Sequence, residues 1–151
     1  MQKKDKQQIN KFFDILKPKS EKTQSSPLFQ EGVQAGFPSP AEDFVEGYLD
    51  LNQYLIQHPS ATFFVRARGD SMINAGIYDG DILVVDRALD AKNNDIVIAS
   101  VFGEFTLKRL IIEEDKIVLM PENPEYSPIE ILPDSDFRIW GVVTSVIHKL
   151  Q

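Results

Sequence analysis

Short stretches in which apolar and polar residues alternate fill the second half of the chain and predict β-strands. The predicted strands are residues 62–68, 81–86, 95–102, 104–112, 116–120 and 137–148. Gly103 separates two of them and predicts a tight hairpin, because glycine readily adopts the positive φ that two-residue turns require. Many short strands divided by turns are typical of a mainly β protein with a barrel or sandwich architecture.

Two helices are predicted before these strands. In residues 41–58 the apolar side chains have helical spacing, Asp50 is a candidate N-cap and Pro59 is the helix stop. A shorter amphipathic helix is predicted near the N-terminus, ending at Pro18, although a helix of this length is marginal by itself. Its apolar face would consist of Ile9, Phe12, Phe13 and Leu16.

Residues 19–34 are rich in Ser, Thr, Gln, Pro and Gly and show little periodicity. This composition predicts a flexible linker. The first 34 residues are also too few, and too weakly patterned, for a helix-turn-helix DNA reader of ordinary size. The expected fold is therefore a compact, mainly β body with one short helix, preceded by a flexible N-terminal arm.

Composition narrows the possible functions. The chain has 151 residues and no cysteine, and the lack of cysteine excludes disulfides, cysteine zinc sites and a cysteine nucleophile. Its net charge of −7 argues against a general nucleic-acid binder. His58 and His148 are the only histidines, and they are interpreted as surface or strand-end residues. We expect no metal and no cofactor. Because no long apolar run or signal peptide is visible, a soluble cytoplasmic protein is expected.

A candidate nucleophile follows the strand predicted at 62–68. The sequence Gly69-Asp70-Ser71-Met72 places one hydroxyl in a turn of small residues, where glycine permits backbone conformations that other residues resist. A serine in such a turn commonly hydrogen-bonds only its own backbone. The turn alone is thus compatible with a structural or a catalytic serine.

A candidate base lies on the strand predicted at 104–112. Alternation places Lys108 on the same strand face as Thr106, Leu110 and Ile112. A lysine among apolar neighbours can be desolvated, which disfavours the ammonium ion and lowers the pKa. The same pattern also fits a lysine on an edge strand that reaches water and discourages edge pairing. The two candidates support each other, since a neutral lysine can accept the proton of a serine hydroxyl where no histidine is suitable.

Three segments together resemble the LexA-like serine peptidases, the S24 group. They are Gly69-Asp70-Ser71-Met72, then Gly76-Ile77-Tyr78-Asp79-Gly80-Asp81 with Val84-Val85-Asp86, and Phe105-Thr106-Leu107-Lys108-Arg109-Leu110. The segment Ala35-Gly36-Phe37-Pro38-Ser39-Pro40-Ala41 looks like the self-cleavage segment of the UmuD branch. The similarity extends from about residue 33 to residue 150, and the combined order and spacing are specific.

The resemblance implies a site and a reaction. Ser71 would be the nucleophile, Lys108 the general base and Ala35–Gly36 the scissile bond. Backbone N–H groups of Asp70 and Ser71 would stabilise the oxyanion. Residues 1–35 would be an arm that self-cleavage removes, and residues 36–151 the peptidase domain.

The resemblance also implies a cellular role and partners. The protein would form homodimers, and RecA filaments on single-stranded DNA would promote cleavage. The shortened form would join UmuC as the accessory subunit of the error-prone translesion DNA polymerase V in the SOS response. Neither sequence-specific DNA binding nor membrane attachment is expected.

Two other functions are compatible with the same residues. One is a non-catalytic dimeric interaction module in which Ser71 and Lys108 are structural. The other is a signal-peptidase-like enzyme that cuts other proteins, which the lack of a membrane anchor disfavours. Asp79, Asp81 and Asp86 are interpreted as residues that build turns and cap strands.

Overall fold

The computed structural model describes residues 15–18, 24–29, 32–33, 35–36 and 45–151. The chain divides into two compact units, one comprising the described residues of 1–18 with residues 58–151, and the other those of 19–57. The strands are β1 (Ile15–Leu16), β2 (Ser26–Phe29), β3 (Val45–Leu49), β4 (Thr62–Arg66), β5 (Ile82–Asp86), β6 (Ile96–Val101), β7 (Glu104–Ile112), β8 (Ile117–Met120), β9 (Ile129–Ile131) and β10 (Phe137–Ile147). One short helix, α1 (Leu51–Leu55), occurs among the described residues.

An eight-stranded antiparallel sheet forms the larger unit, in the order β1-β4-β5-β10-β6-β7-β8-β9. Strand β10 is long enough to pair with β5 along one part and with β6 along another. It carries two register irregularities, and Gly141 follows the first. A Cβ atom at Gly141 would lie 2.6 Å from a methyl group of Val85, so only glycine lets the bent strand approach its neighbour this closely.

Side chains are buried on both faces of this sheet. On β6, Ile98 belongs to one buried cluster while Val97 and Ala99 belong to a second. Successive side chains on a regular strand point to opposite faces, so one sheet can support two apolar clusters. On β10, Trp140 belongs to the first cluster and Val142 to the second, because the register irregularity between Ile139 and Gly141 shifts the alternation there.

The mainly β fold class is confirmed, and all six predicted strands are present with ends that differ by two residues or fewer. The predicted hairpin is also present, with Val101 opposite Glu104. Its two turn residues, Phe102 and Gly103, have φ values of 48° and 80°. Only the glycine was expected to adopt a positive φ.

The helix predictions were wrong in extent. Only residues 51–55 of the predicted helix 41–58 are helical; residues 45–49 form β3, and residues 41–44 lie outside the described residues. Asp50 is the N-cap, as predicted, and accepts hydrogen bonds from the N–H groups of Asn52 and Gln53. The helix ends before Pro59, which instead begins a short 3₁₀ turn.

The N-terminal predictions also need correction. Ile15 and Leu16 form strand β1, which pairs with β4, and are not helical; Ile9, Phe12 and Phe13 lie outside the described residues. Part of the predicted linker is strand β2, which pairs with β3. In both places backbone pairing with a distant strand determines the local structure, and such pairing leaves no periodic signal in so short a segment.

Candidate active site

The Ser71 turn is held by backbone contacts at the exit of β4. The N–H of Ala67 donates to the carbonyl of Asp81 at 2.8 Å, and the N–H of Gly80 donates to the carbonyl of Ala67 at 2.8 Å. Gly69 has a φ of 80°, the left-handed region that favours glycine. The carboxylate of Asp79 accepts the Gly69 N–H at 2.7 Å. The two predicted turns, 69–72 and 76–81, therefore support each other directly.

Met72 anchors the other side of this turn. Its side chain is buried in the larger apolar cluster, and a 3₁₀ turn, Ile73–Ala75, follows it and ends at Gly76. Ser71 thus sits between a glycine turn and a buried methionine. Its hydroxyl lies at the surface of the core on a fixed backbone.

Lys108 lies on β7, which pairs with β6 over residues 104–109 and with β8 over residues 109–112. The Lys108 side chain is buried, with only 8% of the residue exposed. The interpretation of Lys108 as an edge-strand lysine that reaches water is therefore wrong. Burial removes water from around its amine, and this desolvation lowers the pKa of Lys108 from the ordinary lysine value.

The Lys108 amine contacts three oxygen atoms. Nζ lies 3.3 Å from Ser71 Oγ, 2.8 Å from Thr106 Oγ1 and 3.0 Å from the carbonyl oxygen of Leu107. A neutral amine has two N–H donors and one lone pair. In that form the donors suit the Thr106 hydroxyl and the Leu107 carbonyl, and the lone pair can face the Ser71 hydroxyl proton. The three oxygen atoms equally suit the three N–H donors of the ammonium, so this site can hold the amine in either form.

These groups border a cleft of about 200 Å³. It is lined by Arg68, Gly69, Asp70, Ser71, Phe105, Thr106, Leu107, Lys108 and Tyr126.

The contacts of residues 70 and 71 bear on the predicted oxyanion donors. The Asp70 carbonyl accepts from the Ile73 N–H at 3.2 Å and from Asn123 Nδ2 at 3.0 Å, and the Ser71 carbonyl accepts from the Glu122 N–H at 2.8 Å. These contacts involve the carbonyl oxygens of residues 70 and 71 and not their N–H groups. The assignment of the Asp70 and Ser71 N–H groups to an oxyanion remains a prediction.

The predicted scissile bond lies in the other unit. Ala35 and Gly36 form a bend, and both are exposed. The structure thus brings together Ser71, Lys108 and Asp70, while Ala35 and Gly36 occupy a separate part of the chain.

The two histidines pair with buried carboxylates. His148 follows the end of β10, as predicted, whereas His58 precedes the 3₁₀ turn that begins at Pro59. His58 Nδ1 is 2.6 Å from Asp86 Oδ2, and His148 Nδ1 is 2.5 Å from Asp81 Oδ1. Each of these aspartates also accepts a backbone N–H within its turn, from Ala88 and Tyr78 respectively. The turn-building role predicted for these aspartates is therefore confirmed.

Sequence reasoning missed two residues beside Ser71 and Lys108. Thr106 was placed on the Lys108 face by alternation, although its contact with Nζ was not predicted. Asn123 and Tyr126 contact Asp70 from more than fifty positions away along the chain. No local pattern marks them.

Comparison with known proteins shows the family. The model of the family described as Peptidase S24-like matches residues 27–144. Protein SamA of Salmonella typhimurium is 51% identical over 138 residues, which cover 91% of this chain and 96% of SamA. Protein MucA of Escherichia coli is 46% identical over 121 residues, covering 80% of this chain and 82% of MucA. This chain belongs to the S24 peptidase family.

A longer relative shares the same region. LexA repressor 1 of Geobacter sulfurreducens is 43% identical over 120 residues, which cover 79% of this chain and 59% of that protein. Within the described part of the chain, no helix has the length and apolar character needed to span a bilayer.

Proposed function

We propose that this chain is a self-cleaving serine peptidase in which Ser71 is the nucleophile, Lys108 the general base and Ala35–Gly36 the scissile bond. The observation that carries the proposal is the 3.3 Å separation between a buried lysine amine and the Ser71 hydroxyl. Membership of a peptidase family supports the reaction class. Structural roles for both side chains would not explain why the fold keeps a desolvated amine beside a cleft.

In the first step, Lys108 Nζ takes the hydroxyl proton while Ser71 Oγ bonds to the carbonyl carbon of Ala35. The carbonyl electron pair moves to oxygen and forms a tetrahedral oxyanion, which the N–H groups of Asp70 and Ser71 stabilise. Collapse of this intermediate breaks the bond to Gly36, whose nitrogen receives the proton from Lys108. An ester between Ser71 and Ala35 remains.

In the second step, a water molecule attacks this ester and gives a proton to Lys108. The new tetrahedral intermediate collapses, and Ser71 Oγ leaves with the proton that Lys108 returns. The products are a carboxylate at Ala35 and a new N-terminus at Gly36. Because the chain between bond and nucleophile can extend by about 3.3 Å per residue, the same chain or a dimer partner can supply the substrate, at an effective concentration on the order of mM.

The proposal includes the organisation and role of the chain. Residues 1–35 are the arm that cleavage removes, and residues 36–151 are the peptidase domain, a cytoplasmic homodimer. RecA filaments on single-stranded DNA favour the cleavable conformation without adding a catalytic group. The shortened form serves with UmuC in translesion DNA polymerase V during SOS mutagenesis. The support is the family resemblance together with the identity to SamA and MucA.

Intact mass spectrometry of the purified full chain tests the reaction directly. After incubation at mildly alkaline pH, with and without RecA, an ATP analogue and single-stranded DNA, we expect a species that begins at Gly36. Ser71→Ala, run in parallel, should yield none of it, because the variant lacks the nucleophile. If neither protein is cut under any condition, the peptidase proposal fails and a non-catalytic interaction module takes its place.

The cleavage rate is expected to rise with pH. Since burial lowers the pKa of Lys108, the neutral base becomes populated at a pH below that of an exposed lysine. Below this pKa the first-order rate should rise about tenfold per pH unit, and above it the rate should level off. The measurement is the initial rate of Gly36–Gln151 formation from pH 6 upward, in steps of about half a pH unit. A rate independent of pH would contradict the assignment of Lys108 as the base.

A further inference from the structure

A loop outside the predicted motifs contacts the Ser71 turn. It comprises residues 121–128, between β8 and β9, and is called the 121–128 loop. The Glu122 N–H donates a hydrogen bond to the Ser71 carbonyl at 2.8 Å, and the Glu122 carbonyl accepts one at 2.9 Å from Asn74, in the 3₁₀ turn that follows.

Two side chains of the loop add bonds to Asp70. Asn123 Nδ2 donates to the Asp70 carbonyl at 3.0 Å, and the Tyr126 hydroxyl donates to Asp70 Oδ1 at 2.5 Å. Asp70 is therefore held at both its backbone and its carboxylate by one loop. Tyr126 also lines the cleft beside Ser71 and Lys108.

The same loop is attached to the strand that carries the base. Arg109 follows Lys108 on β7, and its Nε lies 2.5 Å from Glu122 Oε1. The Arg109 guanidinium also donates to the Asn94 carbonyl at 2.7 Å. The loop thus connects the Ser71 turn to the strand that carries Lys108.

Peptide geometry gives these contacts a chemical consequence. In a trans peptide, the carbonyl of one residue and the N–H of the next lie in one plane and point in opposite directions. A hydrogen bond that fixes the Asp70 carbonyl therefore also fixes the direction of the Ser71 N–H. That N–H is one of the two proposed oxyanion donors.

We propose that Asn123 and Tyr126 are positioning residues, which hold the Asp70–Ser71 peptide so that its N–H faces the oxyanion. This inference rests on the proposed self-cleavage. It gives the 121–128 loop a role in the reaction that is separate from proton transfer, because neither side chain contacts Lys108 Nζ among the described contacts.

The test is the pH–rate profile of full-chain self-cleavage for Tyr126→Phe and Asn123→Ala. Tyr78→Phe is the matched control for the first, since Tyr78 is 44% exposed and Tyr126 42%. Asn93→Ala is the control for the second, because Asn93 accepts the Ile112 N–H in a turn at the other end of β7. We expect each test variant to lower the plateau rate by roughly 5- to 100-fold. The pH midpoint and the melting temperature should stay at the wild-type values, and the controls should cleave normally.

Other outcomes overturn the inference. A wild-type rate in both test variants would show that the contacts do not matter for the reaction. A shifted pH midpoint would mean that the side chains act through Lys108. A melting temperature low enough for unfolding to explain the loss of rate would mean that the side chains only stabilise the fold.

A second readout does not depend on cleavage. In the Ser71→Ala background, Tyr126→Phe should change the amide resonances and increase the backbone mobility of residues 70–72 in NMR relaxation measurements. Unchanged amides would overturn the positioning role even if the wild-type chain is never cut. Changed amides without wild-type cleavage would overturn only the proposed function.

Discussion

Replacing Lys108 with methionine is expected to abolish cleavage at Ala35–Gly36, with a rate loss on the order of 10⁴ or more. Methionine has a similar length and fills the same buried space, but it cannot accept a proton. The Ser71 hydroxyl, 3.3 Å from the lysine amine in the wild-type chain, then has no base. Intact mass after prolonged incubation, with and without the RecA filament, measures the loss.

The same substitution is expected to increase the free energy of unfolding near neutral pH. The folded state lowers the pKa of Lys108, so the unfolded chain binds more protons in the window between the lowered pKa and the ordinary one. Wild-type stability therefore rises as pH increases through that window, while below it the full cost of burying the charge is present. Denaturant unfolding in a Ser71→Ala background should show the largest gain for Lys108→Met below the window.

Lys116→Met is the matched control. Lys116 is an exposed lysine 3.2 Å from Glu113 Oε2, and its replacement should leave self-cleavage unchanged. If Lys108→Met cleaves at a normal rate, another group is the base. If it is inactive but clearly less stable, the lysine holds the fold together and the desolvation argument is wrong.

Trp140→Ala is expected to lower the free energy of unfolding by about 3–5 kcal/mol. Trp140 is 2% exposed and belongs to the larger buried cluster. Its ring packs against Phe63, with centroids 5.5 Å apart, and lies under the Arg87 guanidinium at 4.6 Å. Removal of the indole leaves a cavity on β10, the strand that joins β5 to β6.

Trp140→Phe is the control for this prediction. The indole N–H has no hydrogen-bond partner among the described residues, so phenylalanine removes a buried unsatisfied donor and should cost less than about 1.5 kcal/mol. Both variants remove the one tryptophan of the chain, so unfolding in denaturant is followed by far-UV circular dichroism and not by tryptophan fluorescence. Similar losses in both variants would mean that the indole ring itself, rather than its volume, stabilises the fold.

The candidate dyad could be predicted from the sequence because its parts leave local signals and their order resembles a peptidase family. Gly69 marks a turn that presents Ser71, and period-two alternation places Lys108 beside apolar neighbours and Thr106. The absence of cysteine narrowed the choice of nucleophile, and the absence of a suitable histidine narrowed the choice of base. The burial of the Lys108 side chain could not be predicted, since alternation is the same for a buried lysine and for one that reaches water.

The less accurate predictions concern elements whose structure depends on distant partners. Residues 45–49 have apolar spacing that also fits a helix, but pairing with β2 makes them a strand. Ile15 and Leu16 likewise form a strand because β4 offers an edge. Short segments have weak intrinsic preferences, so long-range hydrogen bonds decide between the two states.

The sequence by itself determined the mainly β class and six of the seven strands between residues 62 and 148, all but β9, and it made Ser71 and Lys108 the candidate pair. The strands follow from alternation and turn chemistry, which are local properties, and the candidate pair follows from motif order and the family resemblance. The tertiary structure alone decided that Lys108 is buried, that its amine meets Ser71, and that Asn123 and Tyr126 hold Asp70. Those relations depend on the order of strands in the sheet and on the path of a loop, because residues far apart in the chain interact only after the sheet has formed.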